Sequence, residues 1–349
     1  MSSLTTGVAS EPGYTIVENA SLEGRNTFRV PARAEILIDV RGPEALAEVL
    51  ALPYVQNNPL LILGGGSNML FTRDWPGVVL SIATHHIRVL EDREQAALVR
   101  VEAGENWNEF VHWSLSHGYV GLENLVLIPG SVGAAPIQNI GAYGREVSEF
   151  VAAVEAWDRQ SGSLVRLDSE SCRFTYRDSL FKHEPGRYLI SAVEFLLPRH
   201  GDLRTDYAGI TEELSAIGQA VTAVSVAEAV ARLRTRKLPN PAVIGNAGSF
   251  FKNPVVTAAV AAQLKHAHPG LPTWQVGEDS RKLAAAWLIE ASGMKGVREG
   301  DAGVSNQHAL VLVNHGRATG AQIWALAQRV RDTVAGRFGV TLEPEPIIV

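Results

Sequence analysis

Short apolar runs alternate with polar turns along most of the chain, and the period of the apolar positions changes from one stretch to the next. Residues 35–40 (EILIDV) read as a strand and open the first regular unit, which starts near Ala34. Pro43 follows at an early position of a short helix, GPEALAEVL, where its missing N–H costs nothing. After a turn at Asn57-Asn58-Pro59, the apolar run 60–63 has strand length and stops at Gly64-Gly65-Gly66-Ser67-Asn68. A strand–helix–strand opening of this kind predicts an α/β or α+β layer. From 78 to 197 the pattern is rich in strands, with candidates at 77–81, 87–90, 97–103, 150–158, 162–168 and 189–196. One helix interrupts them at 107–116, where Trp107, Phe110, Val111, Ser114 and Leu115 fall on one face at i, i+3, i+4 spacing.

A third unit begins at 225–237, with Ser225 as N-cap and Glu228 in capping-box position. Leu238-Pro239-Asn240-Pro241 ends it. The pattern then predicts an alanine-rich helix at 254–268 and a second helix at 280–292, with Leu283, Ala284, Trp287 and Leu288 inward. A buried strand at 309–314 and a long helix at 319–337 close an α+β lobe. No internal repeat or low-complexity tract is visible.

Composition narrows the class. The chain has 349 residues, enough for two or three domains of roughly 150 residues each. Hydrophobic residues make up 46% and charged residues 19%, which excludes a mostly disordered chain. The net charge of −6, without a basic stripe, argues against a nucleic-acid partner. A local basic patch can still hold a phosphorylated small molecule. Cys172 is the one cysteine, so no intrachain disulfide can form, and a reducing compartment fits. Arg173 beside it is a feature that can lower a thiol pKa, although a buried spectator is the plainer reading. Residues 1–19 carry no long apolar core, and no stretch reaches the ~18 apolar residues that would cross a bilayer. The expectation is a cytoplasmic protein with no membrane partner, acting as a monomer.

The chemistry concentrates in a few segments. Gly64-Gly65-Gly66-Ser67-Asn68 follows a strand, and successive N–H groups in such a turn can form a nest for phosphate oxygens. It matches neither the dinucleotide G-x-G-x-x-G pattern nor a P-loop, and alone it reads equally well as a plain turn. A second glycine-rich stretch, LIPGSVGAAPIQNIGAYG (127–144), can also bring backbone donors against a pyrophosphate. Two such loops suit a dinucleotide better than a mononucleotide. Ser249, in GNAGSFFKNP (245–254), lacks the G-x-S-x-G context of an acyl-transfer nucleophile. Its plain reading is a cap or turn serine, and as a proton donor it would need help from a charged neighbour. Arg173, Arg177, Arg232, Arg234, Arg236, Lys237 and Lys252 could serve diphosphate and carboxylate groups, or be solvated surface charges. His85-His86 and His266-x-His268 have no acid or cysteine at zinc spacing, so no metal is expected. Glu343 and Glu345 stand next to prolines in an extended tail.

Taken together, these motifs resemble the bacterial UDP-N-acetylenolpyruvoylglucosamine reductases. The matching pieces are GGGSNML (64–70), LIPGSVGAAPIQNIGAYG (127–144), CRFTYRDSLFK (172–182), RTRKLPNP (234–241), GNAGSFFKNP (245–254), WLIEASGMKG (287–296), VSNQHALVLVN (304–314) and LEPE (342–345), all in order. The stretch RTDYAGI (204–210) resembles the long form of that family, in which a tyrosine on a loop covers the substrate. The resemblance implies an α+β protein: a two-lobed flavin-binding module of the vanillyl-alcohol-oxidase type followed by an α+β substrate domain. The implied division is 20–80 and 81–235 for the two flavin lobes, with the covering loop near 200–212. The substrate domain is then 236–340, and a tail at 341–349 carries Glu345.

It also implies FAD and NADPH as cofactors and a UDP-sugar enolpyruvyl ether as substrate. FAD would lie against Gly64, Gly65, Gly66, Ser67, Asn68, Pro129, Gly130, Ser131, Gly133, Ala134, Gln138, Asn139, Gly141 and Arg177. The catalytic arginine of Y-R-D-S corresponds to Arg177, the proton-donating serine of G-N-A-G-S-F to Ser249, and the second acid of L-E-P-E to Glu345. Tyr143, Tyr207, Lys237, Asn253 and Gln307 match substrate-contacting positions, Lys237 at the diphosphate. The pattern departs at Ile347, where long-form members carry arginine. Two other classes stay open at this point. One is another oxidoreductase of the same module, such as an alcohol or sugar oxidase with flavin linked to His85 or His86. The other is a flavin- or sugar-nucleotide-binding protein without turnover.

Overall fold

The computed structural model describes residues 13–349; residues 1–12, part of the stretch read above as neither leader nor anchor, lie outside the described residues. Four strands form the first sheet in the spatial order Tyr14–Ser21, Arg33–Val40, Trp75–Ile82, Leu60–Leu63. The first pair is antiparallel, with Tyr14 opposite Val40. The other pairs are parallel, with Ile36 and Leu60 both opposite Val78. The helices Ala45–Ala51 and Pro53–Asn57 carry the chain from Arg33–Val40 to Leu60–Leu63, and residues 64–74 carry it on to Trp75–Ile82. Regular structure thus starts well before Ala34. Strand Tyr14–Ser21 lies at the sheet edge, buries only Ala20 and leaves Ile16 and Val17 exposed, so it carries no apolar alternation to read. Pro43 falls just outside the first helix, whose first residue is Ala45. Pro53 starts a further helix not expected from the sequence, after Leu52 takes the extended conformation favoured before proline.

The second sheet is antiparallel, in the order Ser163–Asp168, Val151–Asp158, Tyr188–Pro198, Ala96–Glu102, Ile87–Asp92. Helix Trp107–Ser116 has the bounds expected from its apolar face. Asn106 caps it by accepting from the Glu109 N–H at 3.1 Å. Phe110 meets Phe195 with ring centroids 4.9 Å apart, in the core between helix and sheet. Cys172 is buried in that core, where burial pushes its thiol up to about 12; it is the inert form of the residue despite Arg173.

Helix Ala223–Lys237 is capped by Thr222, not Ser225. Thr222 Oγ1 accepts from the Ser225 N–H at 3.2 Å, and Ser225 Oγ accepts from the Thr222 N–H at 2.9 Å. Ser225 therefore supplies the return bond of the capping box, and Glu228 instead pairs with Arg232 at 2.5 Å. The helices expected at 254–268 and 280–292 are shorter, Ala258–Ala267 and Ala285–Ala291. Their leading residues form strands Val255–Thr257 and Ser280–Leu283, paired with Val255 opposite Lys282; Thr273–Gln275 flanks the latter. Side chains end the strands: Thr257 caps the first helix, and Asn253 Oδ1 accepts from the Ala285 N–H at 3.0 Å. The expected strand at 309–314 narrows to Leu312–Asn314, which pairs with Ala302–Val304. The long helix Gly320–Phe338 begins after a Thr319–Gln322 capping box.

One apolar core joins the first sheet to the C-terminal lobe through Phe28, Phe71, Phe250, Phe251, Leu288 and Ile323. Among the described residues no helix is long and apolar enough to cross a membrane. The start of the long helix presses on the first lobe so closely that a Cβ at Gly320 would lie 1.7 Å from the Phe71 carbonyl oxygen. Backbone cannot give way as a side chain can. Gly320→Ala is expected to lower unfolding free energy by ~1–3 kcal/mol in urea titration, with the denaturation midpoint moving and the slope unchanged.

Candidate active site

Loop 64–68 joins strand Leu60–Leu63 to the short strand Met69–Leu70, and loop 129–131 leads into the single turn Val132–Ala134. The two loops meet backbone to backbone. A Cβ at Gly65 would lie 2.9 Å from Gly130 Cα, and one at Gly64 would lie 2.9 Å from Ser131 Oγ. Gly130 has φ +128°, and its own Cβ would meet Ser67 Oγ at 2.7 Å. Glycine is required at Gly130 for both reasons. Neither 64–68 nor 127–144 contains an acidic side chain. A glycine-rich cradle with no carboxylate to repel phosphate is a fit for a dinucleotide pyrophosphate. Asn68 Nδ2 donates to Gln138 Oε1 at 2.5 Å and so bridges the two segments. Asn139 is different: it is fully buried, and its side chain is committed to Glu146 Oε2, the Thr175 carbonyl and the Ser148 N–H. Gly133 is buried against Ala103, while Pro129 stays exposed and Ala134 half-buried.

Arg177, Glu345 and Ser249 come from three distant parts of the chain and converge. Arg177 Nε lies 2.8 Å from Glu345 Oε1, and Arg177 Nη2 donates to the Gly141 carbonyl at 2.5 Å. The Glu345 N–H donates to the Phe250 carbonyl at 2.8 Å, one residue from Ser249. Ser249 itself pairs with Val311. The Glu345 carbonyl accepts from Asn68 Nδ2 at 3.1 Å, which ties the acid to the glycine loop. Beyond it, Ile347–Ile348 pairs in parallel with Met69–Leu70. Burial pushes the Glu345 carboxyl above the usual carboxylate range, against the pull of Arg177, Lys182 and Lys252. Burial and then Lys252 push the Lys182 ammonium down; burial and then Arg177 do the same to Lys282.

A second group faces the Arg177 side. The rings of Tyr143 and Tyr207 meet edge to face at 5.1 Å. Arg234, on helix Ala223–Lys237, is close enough to influence Tyr143, and burial pushes its own pKa down. Lys237 ends that helix and lies near His308, next to Gln307 on an exposed loop; burial and then Lys237 push the His308 pKa down. Asn253 touches Tyr176, whose ring lies under Arg177 at 5.5 Å and Lys282 at 4.3 Å. The sequence pattern did not single out Lys182, Lys282 or Tyr176, although Tyr176 and Lys182 stand in the same CRFTYRDSLFK run as Arg177.

Backbone strain marks the same place. Arg177, Tyr143 and Asn139 have φ of +55°, +50° and +47°, values that L residues seldom adopt. Such outliers cluster where function requires a fixed side-chain direction. Among the described residues, no group of three or more His, Cys, Asp or Glu is placed to hold a metal ion.

Paired glycine loops without acidic side chains, and a cluster of cations around Glu345 beside the C-terminal lobe, fit a flavin-dependent oxidoreductase with a phosphorylated substrate. Residues 34–168 match a family described as an FAD binding domain. Residues 240–349 match one described as the C-terminal domain of UDP-N-acetylenolpyruvoylglucosamine reductase. The chain is 52% identical over 345 residues to the UDP-N-acetylenolpyruvoylglucosamine reductase of Xanthomonas euvesicatoria pv. vesicatoria (strain 85-10), covering 98% of each. It is 51% identical over 341 residues to that of Xylella fastidiosa (strain M12), covering 97% of each. Among solved structures, the UDP-N-acetylenolpyruvylglucosamine reductase of Thermus caldophilus superposes with a TM-score of 0.67 at 25% identity, covering 96% of this chain and 98% of that one. The chain belongs to the UDP-N-acetylenolpyruvoylglucosamine reductase family, with its FAD-binding module and C-terminal α+β domain.

The loop contact gives a direct expectation. Gly130→Ala forces a strained φ and a clash with Ser67, so FAD retention on ultrafiltration is expected to weaken at least about tenfold, while far-ultraviolet circular dichroism stays that of the parent.

Proposed function

We propose that Arg177, Ser249 and Glu345 carry out the protein's part in reducing the enolpyruvyl ether of UDP-N-acetylglucosamine to UDP-N-acetylmuramate. The reaction is NADPH-dependent and belongs to peptidoglycan precursor synthesis. The observation that carries the proposal is the 2.8 Å contact between Arg177 and Glu345, beside the backbone that presents Ser249. The glycine loops, with Gln138 and Arg177 near them, are the residues that would hold FAD. When bound, FAD would supply the hydride chemistry between NADPH and C3 of the enolpyruvyl group.

Hydride addition at C3 puts negative charge on C2 and the adjoining carboxylate. A fixed cation there is worth most in the transition state, where charge is greatest. Arg177 suits that task because its guanidinium is held by Gly141, Glu345 and the Tyr176 face, and needs no reorganisation. Ser249 donates the proton to C2. A serine hydroxyl is a weak acid, and the cations gathered around Glu345 help it lose the proton. Glu345, held above the usual carboxylate range, keeps a proton to higher pH than a surface glutamate and can share it with the site. Tyr143, Tyr207, Lys237, Asn253 and Gln307 receive the sugar nucleotide in this reading, with Lys237 at the diphosphate. The division at 80, 235 and 340, a monomeric state and a cytoplasmic location complete the proposal.

Ser249→Ala is expected to leave bleaching of the flavin by NADPH unchanged and to slow its reoxidation by the enolpyruvyl substrate by ~10²–10⁴-fold, read by anaerobic stopped flow. Equal slowing of both half-reactions would remove the role given to Ser249. Glu345 allows a signed test of stability. Its raised value in the fold means that the cost of ionising it is absent below pH ~4.3 and grows as pH rises through the raised value. Glu345→Gln should therefore melt above the parent at pH 8, match it at pH 4, and slow only the oxidative half-reaction. A lower melting temperature at pH 8 would show that the ion pair, not burial, dominates.

A further inference from the structure

We infer that Asn124 is a positioning residue that sets the two tyrosines of the substrate cover, Tyr143 and Tyr207, against each other; the inference rests on the reading of those tyrosines as substrate contacts. Asn124 is fully buried in the single turn Glu123–Leu125. That turn is held firmly: Trp107 Nε1 donates to the Leu125 carbonyl at 2.9 Å, and Glu123 Oε2 accepts from the Gly121 N–H at 2.5 Å. From this fixed point Asn124 Nδ2 donates to the Tyr143 carbonyl at 2.9 Å and to the Arg204 carbonyl at 3.0 Å. Both partners are acceptors, so the amide has one orientation. Its two protons diverge at a fixed angle and fix the two carbonyls relative to each other.

Each carbonyl governs a tyrosine. Tyr143 has φ +50°, so the direction of its ring follows its peptide plane. Arg204 opens the segment that carries Tyr207, which runs over a cavity of about 540 Å³ lined by Arg145 and residues 202–206. Over that space the segment is tethered at its start by Asn124 and by Arg145, whose Nη2 donates to the Asp202 carbonyl at 2.7 Å. Asn124 thus stands at the root of the 5.1 Å contact between the tyrosine rings.

A buried asparagine that merely satisfies backbone is the plainer alternative. Against it stands the corner's chemistry. Asn124 Oδ1, Glu123 Oε1 and Arg145 Nε are buried without a hydrogen-bond partner among the described residues. A corner under selection for stability alone is more simply filled by apolar side chains. Here a buried amide instead spans two separate segments and fixes one against the other.

The test separates the cover from the fold. In Asn124→Leu, flavin bleaching at saturating NADPH is expected to stay within about twofold of the parent. KM for the enolpyruvyl sugar nucleotide should rise by about tenfold or more with a smaller change in kcat. Amide exchange at 202–209 should accelerate in the holoenzyme while the five-stranded sheet stays protected. The same substitution in a Tyr207→Ala background should add little, since Asn124 acts through that loop. Unchanged KM, or a rise that is additive with Tyr207→Ala, overturns the inference. If Tyr207→Ala alone leaves KM unchanged, the tyrosine reading falls first and the inference with it, a result distinct from failure of Asn124→Leu. Should the leucine variant not fold, Asn124→Ser can still serve one carbonyl. It is expected to give an intermediate KM and intermediate exchange, and parent values in both would overturn the inference.

Discussion

The contact between Arg177 and Glu345 is the constraint around which the site is arranged. It joins a turn beside the second sheet to the last stretch of the chain, and it does so with both side chains largely shielded from water. An ion pair in such a place is weakly stabilising at best, because desolvation offsets most of the Coulombic attraction. Here the balance falls against the charge, since burial outweighs three nearby cations in holding the carboxyl protonated to higher pH. The fold retains a costly pair. Its return is a guanidinium that cannot wander and an acid that keeps its proton to higher pH than a surface glutamate.

Much of what fixes the pair runs through main-chain groups. Glu345 hangs between the Phe250 carbonyl of the C-terminal lobe and the Asn68 amide of the glycine loop. Arg177 hangs on the Gly141 carbonyl, in the glycine-rich stretch that also faces loop 64–68. A shift of either glycine loop therefore moves the arginine, the acid or both. In the proposed reading, cofactor cradle and reaction centre are one mechanical object, and three of the seven non-glycine residues with positive φ among the described residues, Asn139, Tyr143 and Arg177, lie on it.

How far the sequence could be read depended on whether the informative contacts were local. Helix Trp107–Ser116 was legible to the residue because its apolar face and its turn are contained within it. The long helix Gly320–Phe338 was nearly so, for the same reason. Strand Tyr14–Ser21 was not, because an edge strand with one buried residue has no period to detect. The strands Val255–Thr257 and Ser280–Leu283 resemble helix starts in local pattern because each is stabilised by the other, across a gap that local pattern cannot see. In the site, the glycine loops announced themselves by composition. Arg177, Ser249 and Glu345 needed the resemblance to a family, since no spacing links them. Lys282 gave no sign at all, because what distinguishes it is the tyrosine it covers. Asn124 was equally silent in a run of ordinary residues.

The hydrogen bond from Asn68 to Glu345 spans 277 positions of the chain. Closing so long a loop is entropically slow, and contacts of that separation form late in folding. The glycine cradle, by contrast, draws on segments that lie nearer to each other and to their own sheets. During refolding the chain should therefore pass through a stage in which it can take up its coloured cofactor but does not yet have its acid in place. Colour would return before turnover, and the interval between them would report how long the tail takes to find its groove.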